Sequence, residues 1–455
     1  MGSAQQLIKS EPLSTKVKAS NYLIIGKVGN HYLVNNFGAN IEKILAYDAN
    51  SLQLKTEEIL FTSKSQNDKQ LNAFAIFEDS LFIFYSQFKD DQHIIEVNKK
   101  SEKLKGNHKY IDELALDKKL FEQVTITTST QQNKYLLQRH YLKDKEEVLS
   151  FTVLNNNLKE EATVNELAYP PNTIFHSSLL GNNGVAFIIF KSNNPLGKKG
   201  NEFNGFVIYQ FSNGQKTTHY FHVPNFKLQQ NFFAINAKTN ELSGVAYATK
   251  PNKSEPALLV SFTKLNKDTL TPFLTELEPI YKNKKKISLR SHEIREIIFR
   301  QDNGLVVVSE SKKVETAVKN QFANDNFNNA LGIQQIVYGN IFLASLNVKG
   351  AISWHHFIPK NQVLNSKGSN YGSFGFTNNG NQLNFIYNES TNSNASFMQY
   401  TLNAFSKSKR KLLFSINDED VFPVMQNAKQ ITSNTILFNS LRNDEYRLCK
   451  LYLEN

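Results

Sequence analysis

Along this chain apolar residues either alternate with polar ones or run together briefly, and the three- and four-residue spacing of a long amphipathic helix is missing. One pattern recurs: a turn signal, then a segment rich in β-branched and aromatic residues. Its instances are Gly29 to Val34, Asp79 to Tyr85, Gln132 to Leu137, Asn183 to Ile189, Asn240 to Tyr247, Asn303 to Val308, Asn381 to Tyr387 and Asn434 to Phe438. Each follows a shorter β-prone segment, such as Asn21 to Val28 or Ile297 to Arg300, across a polar turn short enough for a hairpin. After a variable loop comes a third segment, for example Ile44 to Tyr47, His93 to Val97, Phe206 to Tyr209 or Ile341 to Leu346. A second turn then leads to a fourth, more polar one, such as Leu54 to Leu60, Thr217 to Val223 or Ala351 to Ile358.

Four strands in meander order, apolar inside and polar at the end, describe a propeller blade. The inner segments are nearly continuous in apolar residues because neighbouring blades cover both faces, and the fourth lies at a solvent-facing edge. The expectation is therefore an all-β fold, a β-propeller of about eight four-stranded blades, or seven if one irregular late unit is an insertion. The units fall at approximately 21–60, 71–115, 122–168, 173–224, 229–279, 292–359, 371–416 and 421–455, within one domain. The last unit stops before a fourth strand, while Leu7 to Thr15 is a spare segment ahead of the first. An N-terminal strand that completed the last blade would close the ring. One segment, Tyr110 to Gln123, reads as a short helix between blades.

The 34 Phe and 18 Tyr supply ample core material. The single cysteine, Cys449, excludes a disulfide framework within one chain and a multi-cysteine zinc site; its alternation with Leu451 makes it a small core residue. No run approaches the roughly 20 apolar residues that a membrane span requires. A net charge of +11 can attract nucleic acid, anionic headgroups or an acidic protein, but the Lys and Arg residues are scattered over polar faces and turns, which disfavours nucleic acid. Met1-Gly2-Ser3 resembles an appended leader, and Ala4-Gln5-Gln6 resembles the start of a bacterial envelope protein after signal-peptidase cleavage. We therefore expect a mature exported protein, periplasmic or secreted.

Catalytic, cofactor and metal signatures are missing from the sequence. His355 and His356 are adjacent on a strand, as His219 and His222 are three apart, so neither pair can grip one ion together. His292 has no fixed partner in the sequence. Asp90-Asp91 and Asp418-Glu419-Asp420 are loop carboxylates for which solvation or capping is the default, without the spacing of a calcium-binding hand. There is no nucleophile elbow, phosphate-binding glycine loop or zinc-protease helix. A binding role is expected, with a carbohydrate-active or other hydrolytic propeller as the alternative, since residues gathered from separate blades would escape such a search.

The unit from Leu305 to Pro359 resembles repeats of secreted bacterial propeller-like proteins. Its Asn340-Ile341-Phe342-Leu343-Ala344-Ser345-Leu346-Asn347-Val348-Lys349-Gly350-Ala351-Ile352-Ser353-Trp354 looks like their third strand, turn and Trp-bearing fourth strand. The resemblance implies a setting in the cell envelope, where such proteins include accessory parts of the type IX secretion and gliding machinery, and a protein partner there. Within a meander, the turns between strands one and two and between three and four share one face of the ring, and all other connections share the opposite face. The first set is short; the second is elaborated at Ser192 to Asn204, Ile280 to Ser291, Glu310 to Tyr338 and Lys360 to Tyr371. That loop-rich face is the expected docking surface. Phe203, Phe322, Phe327 and Tyr371 are its candidate anchors, and the basic run Lys284, Lys285 and Lys286 can meet an acidic partner.

Overall fold

The computed structural model describes every residue apart from 1–5, 15–20, 39–40, 63–68, 90–91, 116–117, 119, 193–202, 263–268, 271, 278–279, 283–284, 318–332, 366–370, 391–394 and 455. Two short strands, β1 (Gln6–Lys9) and β2 (Leu13–Ser14), precede the first blade. Blade 1 is β3 (Asn21–Val28), β4 (His31–Phe37), β5 (Ile41–Asp48) and β6 (Leu54–Thr62). Blade 2 is β7 (Lys69–Phe77), β8 (Ser80–Lys89), β9 (Gln92–Lys100) and β10 (Gly106–Ala115). Blade 3 is β11 (Phe121–Thr128), β12 (Lys134–Lys143), β13 (Glu146–Asn155) and β14 (Glu160–Ala168). Blade 4 is β15 (Thr173–Leu180), β16 (Ala186–Ser192), β17 (Gly205–Ser212) and β18 (Gln215–His222).

Blade 5 is β19 (Lys227–Ile235), β20 (Leu242–Thr249), β21 (Leu258–Phe262) and β23 (Phe273–Glu276); β22 (Thr269–Leu270) leaves it to pair in parallel with β18. A small hairpin follows, β24 (Ile280–Lys282) and β25 (Lys285–Ile287). Blade 6 is β26 (His292–Phe299), β27 (Leu305–Ala317), β28 (Ile333–Leu346) and β29 (Ile352–Ile358), with β30 (Gln362–Asn365) added to β28. Blade 7 is β31 (Gly375–Asn378), β32 (Gln382–Asn388), β33 (Ser396–Asn403) and β34 (Ser408–Ser415). After one helical turn, α1 (Ile416–Glu419), blade 8 supplies β35 (Pro423–Thr432), β36 (Thr435–Arg442) and β37 (Glu445–Tyr452). The fold is an all-β propeller of eight antiparallel blades.

The fourth strand of blade 8 is β1, paired antiparallel to β37 from Gln6 opposite Tyr452 to Lys9 opposite Cys449. The strand then breaks at Ser10, whose Oγ accepts the Leu448 N–H at 3.0 Å, and resumes as β2 with Leu13 opposite Tyr446. Its side chains reach both neighbours: Leu7 packs into the layer between blades 7 and 8, Ile8 and Leu13 into the layer between blades 8 and 1. Lys9 Nζ adds an ion pair to Glu419 at 3.0 Å.

The core is not one mass but a set of apolar layers, one at each blade junction. Strand alternation explains this. Tyr32 and Val34 of β4 face blade 8, while Leu33 between them faces blade 2, so consecutive residues are all buried and the strand reads as unbroken apolar sequence. Turn residues foreseen from sequence take the conformation that justifies them: Asn213, Asn240 and Asn303 have positive φ, which Asn tolerates better than other non-glycine residues. Gly26 sits at a bulge of β3 with φ +146°, and a Cβ there would meet Ile76 Cδ1 at 2.7 Å.

Two expectations need correction. Tyr110 to Gln123 holds no helix among its described residues; Tyr110 to Ala115 end β10 and Phe121 to Gln123 begin β11. The ladder of β10 slips between Tyr110 and Asp112, so Ile111 and Leu114 acquire a three-residue spacing that imitates a helix period. Glu310 to Tyr338 is not a plain loop either. The β27–β28 ladder continues to Ala317 opposite Ile333, because Val314 and Ile336 sustain a β pattern through an otherwise charged run.

Candidate functional site

Every second strand changes character along its length. It begins apolar beside the short turn and ends polar beside the loop-rich face, and in every blade but the fourth that polar end is buried: Asn35 in β4, Ser86 in β8, Gln138 to His140 in β12, Thr249 in β20, Ser309 and Glu310 in β27, Asn388 in β32, Asn439 and Ser440 in β36. Several of these groups find partners one layer beneath the loops. Arg139 Nε donates to His93 Nδ1 at 2.9 Å, with the His93 ring stacked on Phe121. His140 Nδ1 lies 2.6 Å from the Tyr169 hydroxyl, and His292 Nδ1 lies 3.3 Å from Ser309 Oγ. Burial holds these rings neutral: it lowers His93 to about 3, with Arg139 adding to the effect, and His140 and His292 to about 4.

At blades 6 to 8 the layer contains a fully buried ion pair, Lys360 Nζ to Glu310 Oε1 at 2.7 Å. Ser373 Oγ donates to Glu310 Oε2 at 2.6 Å, Lys360 Nζ also donates to Gln362 Oε1 at 2.7 Å, and Gln362 Nε2 donates to the Asn388 carbonyl at 2.6 Å. Asn388 Nδ2 then reaches the Pro423 carbonyl at 2.8 Å, so one network ties blades 6, 7 and 8.

Above it rises an arm. Residues 312–317 of β27, 333–338 of β28 and 362–365 of β30 form a three-stranded extension of blade 6. One side faces the protein, with Tyr338, Gln362 and Leu364 buried. The row on the other side is Lys313, Val337 and Val363, in cross-strand register. Val363 of this row is 44% exposed; Val314, 64% exposed on the edge strand β27, belongs to the opposite row with Ile336 and Leu364.

Of the anchors read from sequence, Phe203 is half-buried: its carbonyl accepts the Leu228 N–H at 2.7 Å, and Lys191 Nζ lies 5.7 Å from its ring centre. Tyr371 is also half-buried, donating to the Leu441 carbonyl at 3.1 Å and packing edge-on against Phe422. Lys285 and Lys286 stand in β25. Lys284, Phe322 and Phe327, like Asp90-Asp91, lie outside the described residues. Of the carboxylates at 418–420, Asp420 pairs with Arg442 and Arg447 and Glu419 with Lys9. Among the described residues there is no group of three or more His, Cys, Asp or Glu placed to hold a metal ion, and no helix long and apolar enough to cross a membrane.

The short-turn face, featureless in the sequence reading, holds a cleft. Around most of this face neighbouring turns are joined by hydrogen bonds. Gly29 N–H donates to Asp79, Ile76 N–H to Gln132, Gln131 N–H to Asn182, Asn182 N–H to Asn240 and Asn378 N–H to Gln430. Between blades 6 and 7 the described link lies farther out, from His356 to Tyr400 (2.7 Å) and Ser406 (3.3 Å). Inside that link a cleft of about 440 Å³ opens, adjoining one of about 630 Å³ toward blade 5. Its floor includes Ile298, Val306, Leu383, Leu402 and Trp354; its rim includes Lys238, Arg300, Asp302, Asn378, Asn381 and Asn403. Arg300 donates to Ser345 Oγ and, at 2.6 Å, to Asp302. The signal available in sequence was the chain's one tryptophan, together with the amide-rich turn Asn378 to Gln382.

No protein-family model matches the chain, and no curated protein matches it. Among solved structures it is similar to a prolyl endopeptidase at 13% identity and TM-score 0.42, with 94% of this chain aligned to 54% of that one. Prolyl oligopeptidase B from Galerina marginata aligns at 9% identity and TM-score 0.42, over 96% of this chain and 56% of that one. An uncharacterized protein from Listeria monocytogenes aligns at 11% identity and TM-score 0.39, over 82% and 89%. The chain thus spans about half the length of the peptidases it matches, and likeness at this level says nothing of its activity.

Proposed function

We propose that this β-propeller is a non-enzymatic protein-binding module of the bacterial cell envelope, and that its partner docks on the arm of blade 6. The observation that carries the reading is the exposure of Val363, on the outward side of an extension whose inward side buries Tyr338, Gln362 and Leu364, and of Val314 on its edge strand β27. Isolated surface valines are ordinary; one on each side of a paired β extension offers a partner an interface at low ordering cost. The charge of +11 favours an acidic partner. The envelope setting, and a place as an accessory subunit of a secretion complex, rest on the repeat resemblance alone.

The test is capture from an envelope extract of the native host, with partners identified by mass. Val314→Asp with Val363→Asp should lower capture more than tenfold and leave thermal stability nearly unchanged. Deleting Lys313 to Gln335 should abolish capture. Undiminished capture by both variants would show that the partner binds elsewhere.

A further inference from the structure

We propose that the cleft between blades 6 and 7 on the short-turn face binds a neutral oligosaccharide. This site is separate from the arm, which lies on the opposite face. Its volume falls within the several hundred Å³ usual for small-ligand pockets, and it combines an apolar floor with a few convergent polar groups in the same manner. A sugar ring needs both features: its C–H faces pack on aromatic surface, while its hydroxyls donate and accept in turn. Trp354 is half-buried in the floor, and its indole N–H makes no hydrogen bond among the described residues. One residue beyond Ala404 of the rim, Phe405 is 83% exposed, the most open large apolar side chain described.

The polar rim matches hydroxyls better than charge. Asn378 Oδ1 accepts the Gly380 N–H, and Asn403 Oδ1 accepts the Phe405 and Lys407 N–H groups, so each amide keeps its NH2 as a donor. The side chains of Asn381 and Gln382 form no hydrogen bond among the described residues and offer both donor and acceptor. Arg300 and Asp302 neutralise one another, which leaves Lys238 as the lone unpaired charge among the described rim residues, short of what a phosphate-bearing ligand demands.

Trp354 is the only tryptophan, so its emission reports on this cleft alone. The full chain is titrated with gluco-, manno-, galacto- and N-acetylglucosamine hexasaccharides, following emission and, independently, heat. At least one should give a saturable change, and Asn381→Ala with Gln382→Ala should weaken it at least fivefold at unchanged thermal stability. Absence of any emission change or heat at millimolar sugar overturns the proposal. So does equal affinity in the double variant, or a uronic hexasaccharide that binds while all four neutral sugars do not.

Discussion

The Lys360 and Glu310 side chains are fully buried, and among the described residues each is the other's ion-pair partner. Lys360→Met removes the cation and strands Glu310, and should cost about 3–5 kcal/mol of stability. The double change Lys360→Met, Glu310→Leu should recover a large part of that loss, as urea denaturation of the three proteins would reveal. A double variant as unstable as the single would mean that packing, not charge, governs the site. The buried histidines contribute through the charge they do not carry. His93, His140 and His292 bind a proton near 6.5 in the unfolded chain but only near 3 to 4 when folded. Their contribution is complete above pH 6.5 and is lost as pH falls toward 4, each at up to about 1.4 kcal/mol per pH unit. The urea midpoint should therefore drop steadily between pH 7 and pH 5, and His140→Gln should make that drop shallower. A midpoint flat over this range would contradict the burial of these rings.

At the scale of elements, the decisive strand is the one farthest from its blade in sequence. Without β1 and β2, the edge of β37 would be open, and Leu7, Ile8 and Leu13 would leave two junction layers unfilled. At about 1.5–3 kcal/mol per buried large apolar side chain, discounted because these three are only partly covered, deletion of residues 6–14 should cost several kcal/mol. Scanning calorimetry should show a lower Tm, and hydrogen exchange should rise first in β37. If exchange rose equally in all blades, the ring would not depend on this clasp. The arm shows the opposite case, a ladder that outlasts its blade. Lys312, Lys313 and Glu315 read as loop because strand propensity is judged from side chains, whereas the ladder is held by backbone pairing with β28.

At the scale of the molecule, the division between legible and hidden follows the range of the interactions. Strand identity, turn positions and the eightfold repeat were readable because each depends on neighbours within one hairpin: alternation, an Asn or Gly at positive φ, a polar edge. Closure was readable for a related reason, since a three-stranded last unit and an unused first strand are complementary on inspection. The bulge at Tyr110 to Asp112 was not, because an inserted residue shifts side-chain phase without any marker in composition. The cleft was hidden more deeply. Lys238, Arg300, Trp354 and Asn403 come from blades 5, 6 and 7, and only the curvature of the ring brings their turns together. The neutral histidines were likewise invisible as such, because burial by the next blade, not the local sequence, displaces the water that would let them ionise. By itself the sequence determined a ring of β-meanders and its clasp, since those are local patterns repeated. Which junction stays open, which strand outgrows its blade and which polar groups lose their water were decided only when eight blades packed in a circle, because each depends on atoms that the chain places far apart.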